Sequence, residues 1–365
     1  MTVDLPSEWL SKVKRQRSRV NKKALSVMSG KKHGNNMDAV RYYLAFSVFV
    51  AHFSVCTGVN IPWLTPSYVA VGGFFAMSGF LIFRSYNNSP SVLHYLKRRA
   101  LRILPPYFTV VLLAFIAGIA VTEIGISEYL LSSKAWKYLV SNLIFMNFLE
   151  PTLPGVFENN LLPYVNGSLW TMKVEWGLYL SVPIIAWIMR KFQVGTLATC
   201  ITTVILAICY RLIFSMLSDA TGNEIYDILG RQFIGMMAYF YSGVIFHQLY
   251  DSIMRHKLPI LIAASALYLI ATKSAYLEIV ISPIATSTIV LILCFMGRWG
   301  KWFDNKNNFS YDIYLFHFPI IQLWVMFAAD SLPSWQLFLL CTLTVLAVSW
   351  ASWTFVGKHF CLMRK

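Results

Sequence analysis

Arg41 and His52 stand eleven residues apart in the first apolar stretch of the chain, MDAVRYYLAFSVFVAHFS, residues 37–54. Eleven helical steps of ~100° return to within ~20° of the starting direction, so both side chains belong to one helix face, ~16 Å apart along the axis. Ionisable groups inside an apolar span are costly, and each needs a partner or a task. A neutral imidazole near the midplane can take a proton from a hydroxyl as a general base. The ordinary alternative for His52 is a core histidine bonded to a neighbouring helix. Arg41, about one turn inside the membrane face, can hold a phosphate or polarise an acyl carbonyl. Its alternative is to snorkel to the interface.

Three later segments carry further chemistry. KRRALRILPPYF places Lys97, Arg98, Arg99 and Arg102 ahead of Pro105 and Pro106 at a helix entry. Arg99 and Arg102, at i and i+3, share a face and suit a phosphorylated ligand, or else anchor the helix at the membrane surface. NGSLWTMKVEWGLYL holds Glu175. Counted from an outer helix start, Glu175 lies two turns down, ~10 Å deep, and nearly level with His52. There a carboxylate would orient His52 or stabilise its protonated form. A pair with Lys173 is disfavoured, because residues two apart point to different helix faces. FSYDIYLFHFPI brings Asp312 and His317 near the inner end of a span, with His317 open to ligand contact or a structural hydrogen bond. Arg211 and Arg231, near the outer surface, are open to an anionic acceptor or to the loop acids Asp219, Glu224 and Asp227.

The elements that position these groups are membrane helices. Of 365 residues, 57% are hydrophobic and only 13% charged, about half the charge of a soluble domain. Apolar runs approach the ~20 residues that cross a bilayer. No recurring alternation of ~10 residues suggests a β-barrel. The fold class expected is all-α and polytopic, with ten spans over residues 38–58, 68–86, 103–122, 168–190, 196–217, 229–250, 258–273, 277–296, 310–330 and 335–357. Lys and Arg then gather on one side, which by the positive-inside rule is cytoplasmic and holds both termini. The net charge of +15 follows from this topology and not from nucleic-acid binding. Residues 1–36 form a basic cytoplasmic tail able to touch anionic lipid, residues 37–357 the membrane domain, and residues 358–365 a C-terminal tail. In the long outer connection, residues 138–149 are apolar but short for a span, hence re-entrant or interfacial, and the Pro-rich stretch that follows is an ordered external loop. Small residues over 72–86, Gly72 and Gly79 among them, serve close helix packing. The six cysteines lie in or beside apolar segments without CxxC spacing, so neither a disulfide framework nor a metal site is expected. No Gly-rich phosphate loop is present.

Five segments in order resemble the acyltransferase family 3 membrane O-acyltransferases. They are Arg41-x10-His52, the aromatic-SGF stretch from Phe74 to Phe80, Arg99-x-x-Arg102 before the proline pair, SLWxxxxE from Ser168 to Glu175, and SYxxYLxHxP from Ser310 to Pro319. The similarity covers about residues 37–357. It implies a ten-helix enzyme of the cell's inner (plasma) membrane. Such an enzyme takes an acyl group, usually acetyl, from coenzyme A on the cytoplasmic side to a hydroxyl of a glycan or lipid-linked sugar on the outer side. By that resemblance Arg41 and His52 are the essential pair, Glu175 an active-site acid, and Arg99 and Arg102 contacts for coenzyme A. Arg98 and His317 join the expected coenzyme A set. Acetyl-coenzyme A is then a co-substrate, and no tightly bound cofactor is expected. Lys173 departs from the family pattern, where a neutral residue is usual, and the extracytoplasmic esterase-like domain that some members carry is not expected here. A transporter or flippase of a lipid-linked sugar is the rival reading, since midplane polar groups also suit a transported substrate.

Overall fold

The computed structural model describes residues 35–61, 65–303 and 307–362. Residues 1–34 of the expected basic tail lie outside the described residues. All ten expected segments are helical: α1 (Met37–Thr57), α2 (Ser67–Asn87), α3 (Val92–Val121), α4 (Trp170–Phe192), α5 (Thr196–Thr221), α6 (Phe233–Gln248), α7 (Lys257–Ala271), α8 (Ala275–Phe295), α9 (Ser310–Ala328) and α10 (Ser334–Ser352). Among the described residues there is no strand. Eight of the ten are long and apolar enough to cross a membrane. The others, α6 and α7, have 16 and 15 residues, or about 24 and 22 Å at 1.5 Å per residue. The expected sixth span, 229–250, is cut at Gly230, where a short helix from Glu224 ends, and at Leu249.

Local chemistry explains the largest boundary shift. The third span, expected from 103, begins at Val92 because Ser91 caps it, its Oγ accepting the His94 amide at 3.1 Å. Pro105 and Pro106 lie inside this helix and do not start it. The basic cluster of residues 97–102 is therefore helical, and Arg99 and Arg102 share a face as their spacing requires.

The helices pack through small residues. A Cβ on Gly79 would sit 1.8 Å from the Phe240 carbonyl oxygen, and one on Gly243 2.0 Å from that of Ala76. Glycines at both places let α2 and α6 cross backbone to backbone. The first apolar piece of the long connection is the 11-residue helix Ser133–Leu143. Its Trp136 and Val140, with Ile144 and Phe148 beyond it, are exposed. That pattern fits an interfacial helix rather than a span.

The second piece, residues 150–168, is stitched along α9. The Asn160 side-chain amide donates to the Gln322 carbonyl at 3.0 Å, and the Gln322 amide to the carbonyls of Tyr164, at 2.7 Å, and Leu162. Asn166 donates to the Leu315 carbonyl at 2.9 Å, and Ser168 to that of Tyr314 at 3.3 Å. That carbonyl of Leu315 is free because Pro319, four residues on, has no N–H to give it. From Gln322 to Tyr314 the loop descends ~12 Å along the helix. So α4 starts beside the first turns of α9 and not at the outer surface.

Candidate active site

The depth at which α4 begins decides the site. Glu175, one and a half turns further along, falls level with the beginnings of α1 and α9. Asn36, just before α1, donates to the carbonyls of Leu293 (3.1 Å) and Met296 (3.0 Å), so α1 also begins where α8 ends. The expectation that Glu175 lies high in the membrane beside His52 is corrected accordingly. Its carboxylate accepts hydrogen bonds from Tyr179 and Ser78 and stands in the field of Arg102 and Arg99.

These groups line one cleft between α1, α2, α3, α4 and α9. Its walls carry Arg41, Ser78, Arg102, Glu175, Tyr179 and Tyr311. Arg41 Nη1 lies 2.9 Å from Asp38 Oδ1, and the Asn308 side chain donates to the same oxygen at 2.6 Å. The Tyr311 hydroxyl donates to the Ile103 carbonyl at 3.2 Å and touches Met172 Sδ at 3.2 Å, tying α9 to α3 and α4. Arg99 is buried behind the cleft wall, its Nη2 3.3 Å from Ser85 Oγ. Arg98 and His317, expected beside it as coenzyme A contacts, do not line this cleft. Among the lining side chains two guanidinium groups (Arg41, Arg102) stand against one carboxylate (Glu175), so the lining of the cleft is cationic.

His52 and His317 form a second tier above it. His52 Nδ1 lies 2.7 Å from His317 Nε2, with the rings stacked at 10° and their centroids 5.0 Å apart. His317 Nδ1 lies 3.1 Å from the Ile313 carbonyl oxygen. A carbonyl only accepts, so in the neutral ring that nitrogen carries the proton and Nε2 is the acceptor. His52 Nδ1 must then be the donor. Neutral His52 is thereby left with an unprotonated Nε2, the atom a general base needs. The group bonded to His52 is thus His317 and not Glu175.

Tyr314 joins the tiers. Its ring lies 5.9 Å from that of Phe74 in the cleft wall and 5.8 Å from that of His317. Its hydroxyl meets Thr171 Oγ1 at 2.9 Å. Above the pair, Phe318 sets its edge against His52, centroids 5.2 Å apart. Gly167 lies flat on Phe318, where a Cβ would come within 2.8 Å of the ring. The loop that α9 anchors is therefore the roof of the histidine tier.

Other expected residues find ordinary partners. Lys173 turns from Glu175 and lies over the Phe148 ring, 4.7 Å from its centroid. Arg231 pairs with Asp227, one of the loop acids. Arg211 bonds to Tyr239 and faces Glu278, and Asp312 accepts from Ser352 at 2.6 Å. Sequence reasoning missed Ser78, Tyr179 and Tyr314 as site residues. Tyr179 was visible as the i+4 neighbour of Glu175, and Tyr314 as the second tyrosine of the SYxxY motif.

A family model for an acyltransferase domain matches residues 35–354. The chain belongs to this family and is a membrane acyltransferase. It is 24% identical over 339 residues to an O-acetyl transferase of Shigella phage Sf6, a match covering 89% of this chain and 96% of that protein. It is 29% identical over 172 residues to nodulation protein 10 of Rhizobium leguminosarum bv. viciae, covering 44% of this chain and 46% of that one. It is 27% identical over 173 residues to the acyltransferase MdmB of Streptomyces mycarofaciens, covering 45% and 42%. In the last two the chain spans less than half of the relative's length. No solved structure matches the chain.

Proposed function

We propose that the protein is an O-acetyltransferase of the plasma membrane. It moves acetyl from acetyl-coenzyme A, held on the Arg41 side, to a hydroxyl of a glycan or lipid-linked sugar that reaches His52 from the other side. The observation that carries this reading is the His52–His317 pair, with a free Nε2 directly above a cationic cleft. The phage relative, similar over most of both chains, supports acetyl as the group moved.

In this reading Arg41 and Arg102 receive the phosphates of coenzyme A as charge-assisted bonds, and Arg99 adds its field from behind. Glu175, with Tyr179 and Ser78, holds the arginines in position. The thin pantetheine arm runs up the cleft past Phe74 and Tyr314 toward His52. His52 Nε2 takes the acceptor's hydroxyl proton while its oxygen attacks the thioester carbonyl carbon. The tetrahedral intermediate collapses, the C–S bond breaks, and the imidazolium returns its proton to the leaving thiolate. The products are an acetyl ester and free coenzyme A, with His52 restored. His317 accepts from Nδ1 throughout and keeps Nε2 aimed at the acceptor.

Sealed vesicles test the reading. Acetyl-coenzyme A is loaded on the Arg41 side, glycan extracted from the native cell surface is supplied on the other, and thiol release and glycan mass are followed. Wild type should release thiol and add acetyl to the glycan. His52→Gln should be folded and slower by ~10²-fold or more. Near-normal turnover in His52→Gln removes the general-base role. Acetylation only with both substrates on the Arg41 side removes the cross-membrane route. Movement of lipid-linked sugar without thiol release would mark a flippase.

A further inference from the structure

A second cavity lies behind the α1–α2 pair, between α1, α2, α7 and α8. Its volume is about 470 Å³, and it is walled by Val40, Leu44, Val69, Val290 and Leu293, with Trp299 at one end. Val40 and Leu44 stand about 100° and about 60° round α1 from Arg41, and the slot shares no lining residue with the cleft. This slot is therefore separate from the cleft that holds Arg41 and Glu175.

Water does not suit the slot. By any measure of a water's volume it would need more than about ten molecules, each with two to four polar partners. The wall offers few. The hydroxyls of Tyr43 and Thr65 are bonded to each other at 2.7 Å, and Tyr268 is bonded to Tyr68. That leaves the Thr286 hydroxyl and the indole N–H of half-exposed Trp299. Apolar cavities of ~150 Å³ hold a benzene ring, so a slot three times larger has room for a hydrocarbon chain. Its half-exposed rim residues, Tyr43 and Trp299, open it sideways to the bilayer.

The end at Trp299 identifies the head group. The segment Arg298-Trp299-Gly300-Lys301-Trp302-Phe303 leaves the helices at the level where α1 begins. Its aromatics are exposed, Trp302 at 86%. Lys301 Nζ lies over the Trp302 ring, 5.8 Å from the centroid. Two cations and three exposed aromatics, with no acid among the described residues 296–303, form a membrane-surface anchor that attracts anionic head groups. We propose that the slot binds one anionic phospholipid from the leaflet on the Arg41 side. One acyl chain would lie along Val40, Leu44 and Val290, and the phosphate would sit on Arg298 and Lys301. The bound chain braces the side of α1 next to the one that bears Arg41. This inference stands apart from the acyl-transfer reading.

Native mass spectrometry of the full chain tests it, after detergent washing and incubation with phosphatidylcholine vesicles with or without phosphatidylglycerol. Wild type should keep about one phosphatidylglycerol per chain and prefer it to phosphatidylcholine. Ile289→Trp, at a partly exposed wall position, fills the slot and should lose the lipid while staying monodisperse. Val69→Phe serves as a second filling variant if Ile289→Trp does not fold. The pair Arg298→Ala and Lys301→Ala should lower the preference for phosphatidylglycerol by the order of tenfold. Equal lipid retention in wild type and the filled variants overturns the site. An unchanged preference in the double variant overturns the head-group assignment.

Discussion

His317→Phe isolates the orienting bond from everything else the residue does. His317 is fully buried, and its ring packs against those of His52 and Tyr314. A phenyl ring keeps that packing and removes the acceptor. His52 then has a buried Nδ1–H without a partner, or moves its proton to Nε2 and ceases to be a base. A buried donor left unsatisfied costs ~1–3 kcal/mol. If the productive tautomer remains reachable at that cost, kcat falls by about 5- to 150-fold. The donor cleft is untouched, so the KM for acetyl-coenzyme A should hold. His317→Gln can still accept through its side-chain oxygen and should lose less. Thiol release by purified protein at saturating acetyl-coenzyme A gives both parameters. A His317→Phe enzyme within twofold of wild-type kcat refutes the orienting role. A raised KM at constant kcat would return His317 to the donor contacts that its sequence position first suggested.

The remaining predictions follow from single observations. Arg102→Ala removes a cleft guanidinium and should weaken coenzyme A binding by ~10- to 150-fold, the worth of a charge-assisted contact. Arg98→Ala, outside the cleft, should leave calorimetric affinity within about twofold of wild type. Gly79→Ala forces α2 and α6 apart where a Cβ would stand 1.8 Å from the Phe240 carbonyl oxygen; it should cost about 3 kcal/mol and lower the melting temperature in detergent, and an unshifted transition would refute the close crossing. Asn166→Ala leaves the Leu315 carbonyl without a partner, so hydrogen exchange of residues 150–168 should quicken while α4 itself stays protected.

The helices were legible because apolar length and charge asymmetry are local properties of the chain. Arg41 and His52 were legible because one helix carries both. The tier of Glu175 is not legible, for a reason that is also local. Its depth follows from where α4 starts, and nothing in SLWTMKVE reveals that the preceding loop descends beside α9. That descent is set by bonds between segments some 150 residues apart, such as Asn166 to Leu315. His317 was ambiguous for the same reason, since its partner is 265 positions away. The prolines carried an unread signal. Pro319 frees the Leu315 carbonyl for the roof loop. Pro183 likewise frees the Tyr179 carbonyl, which accepts the Tyr95 hydroxyl at 3.0 Å. At these two places the freed carbonyl is taken by a donor from another segment, so Pro319 and Pro183 mark where neighbouring segments dock.

The two tiers also explain why one helix bears both cation and base. Arg41 and His52 are ~16 Å apart along α1, too far to act on one atom together. They can act on one molecule if it is long, thin, anionic at one end and reactive at the other. A thioester donor held by its phosphates among Arg41 and Arg102 has that form. Because one rigid helix fixes the separation, the reactive carbonyl of such a donor would arrive at the height of His52 Nε2 without any hinge between the binding group and the proposed base. A donor cut short between phosphates and thioester would keep its contacts below and miss the base above. It should therefore bind nearly as well as the full coenzyme and react far more slowly, a split that a phosphate site unconnected with His52 would not produce.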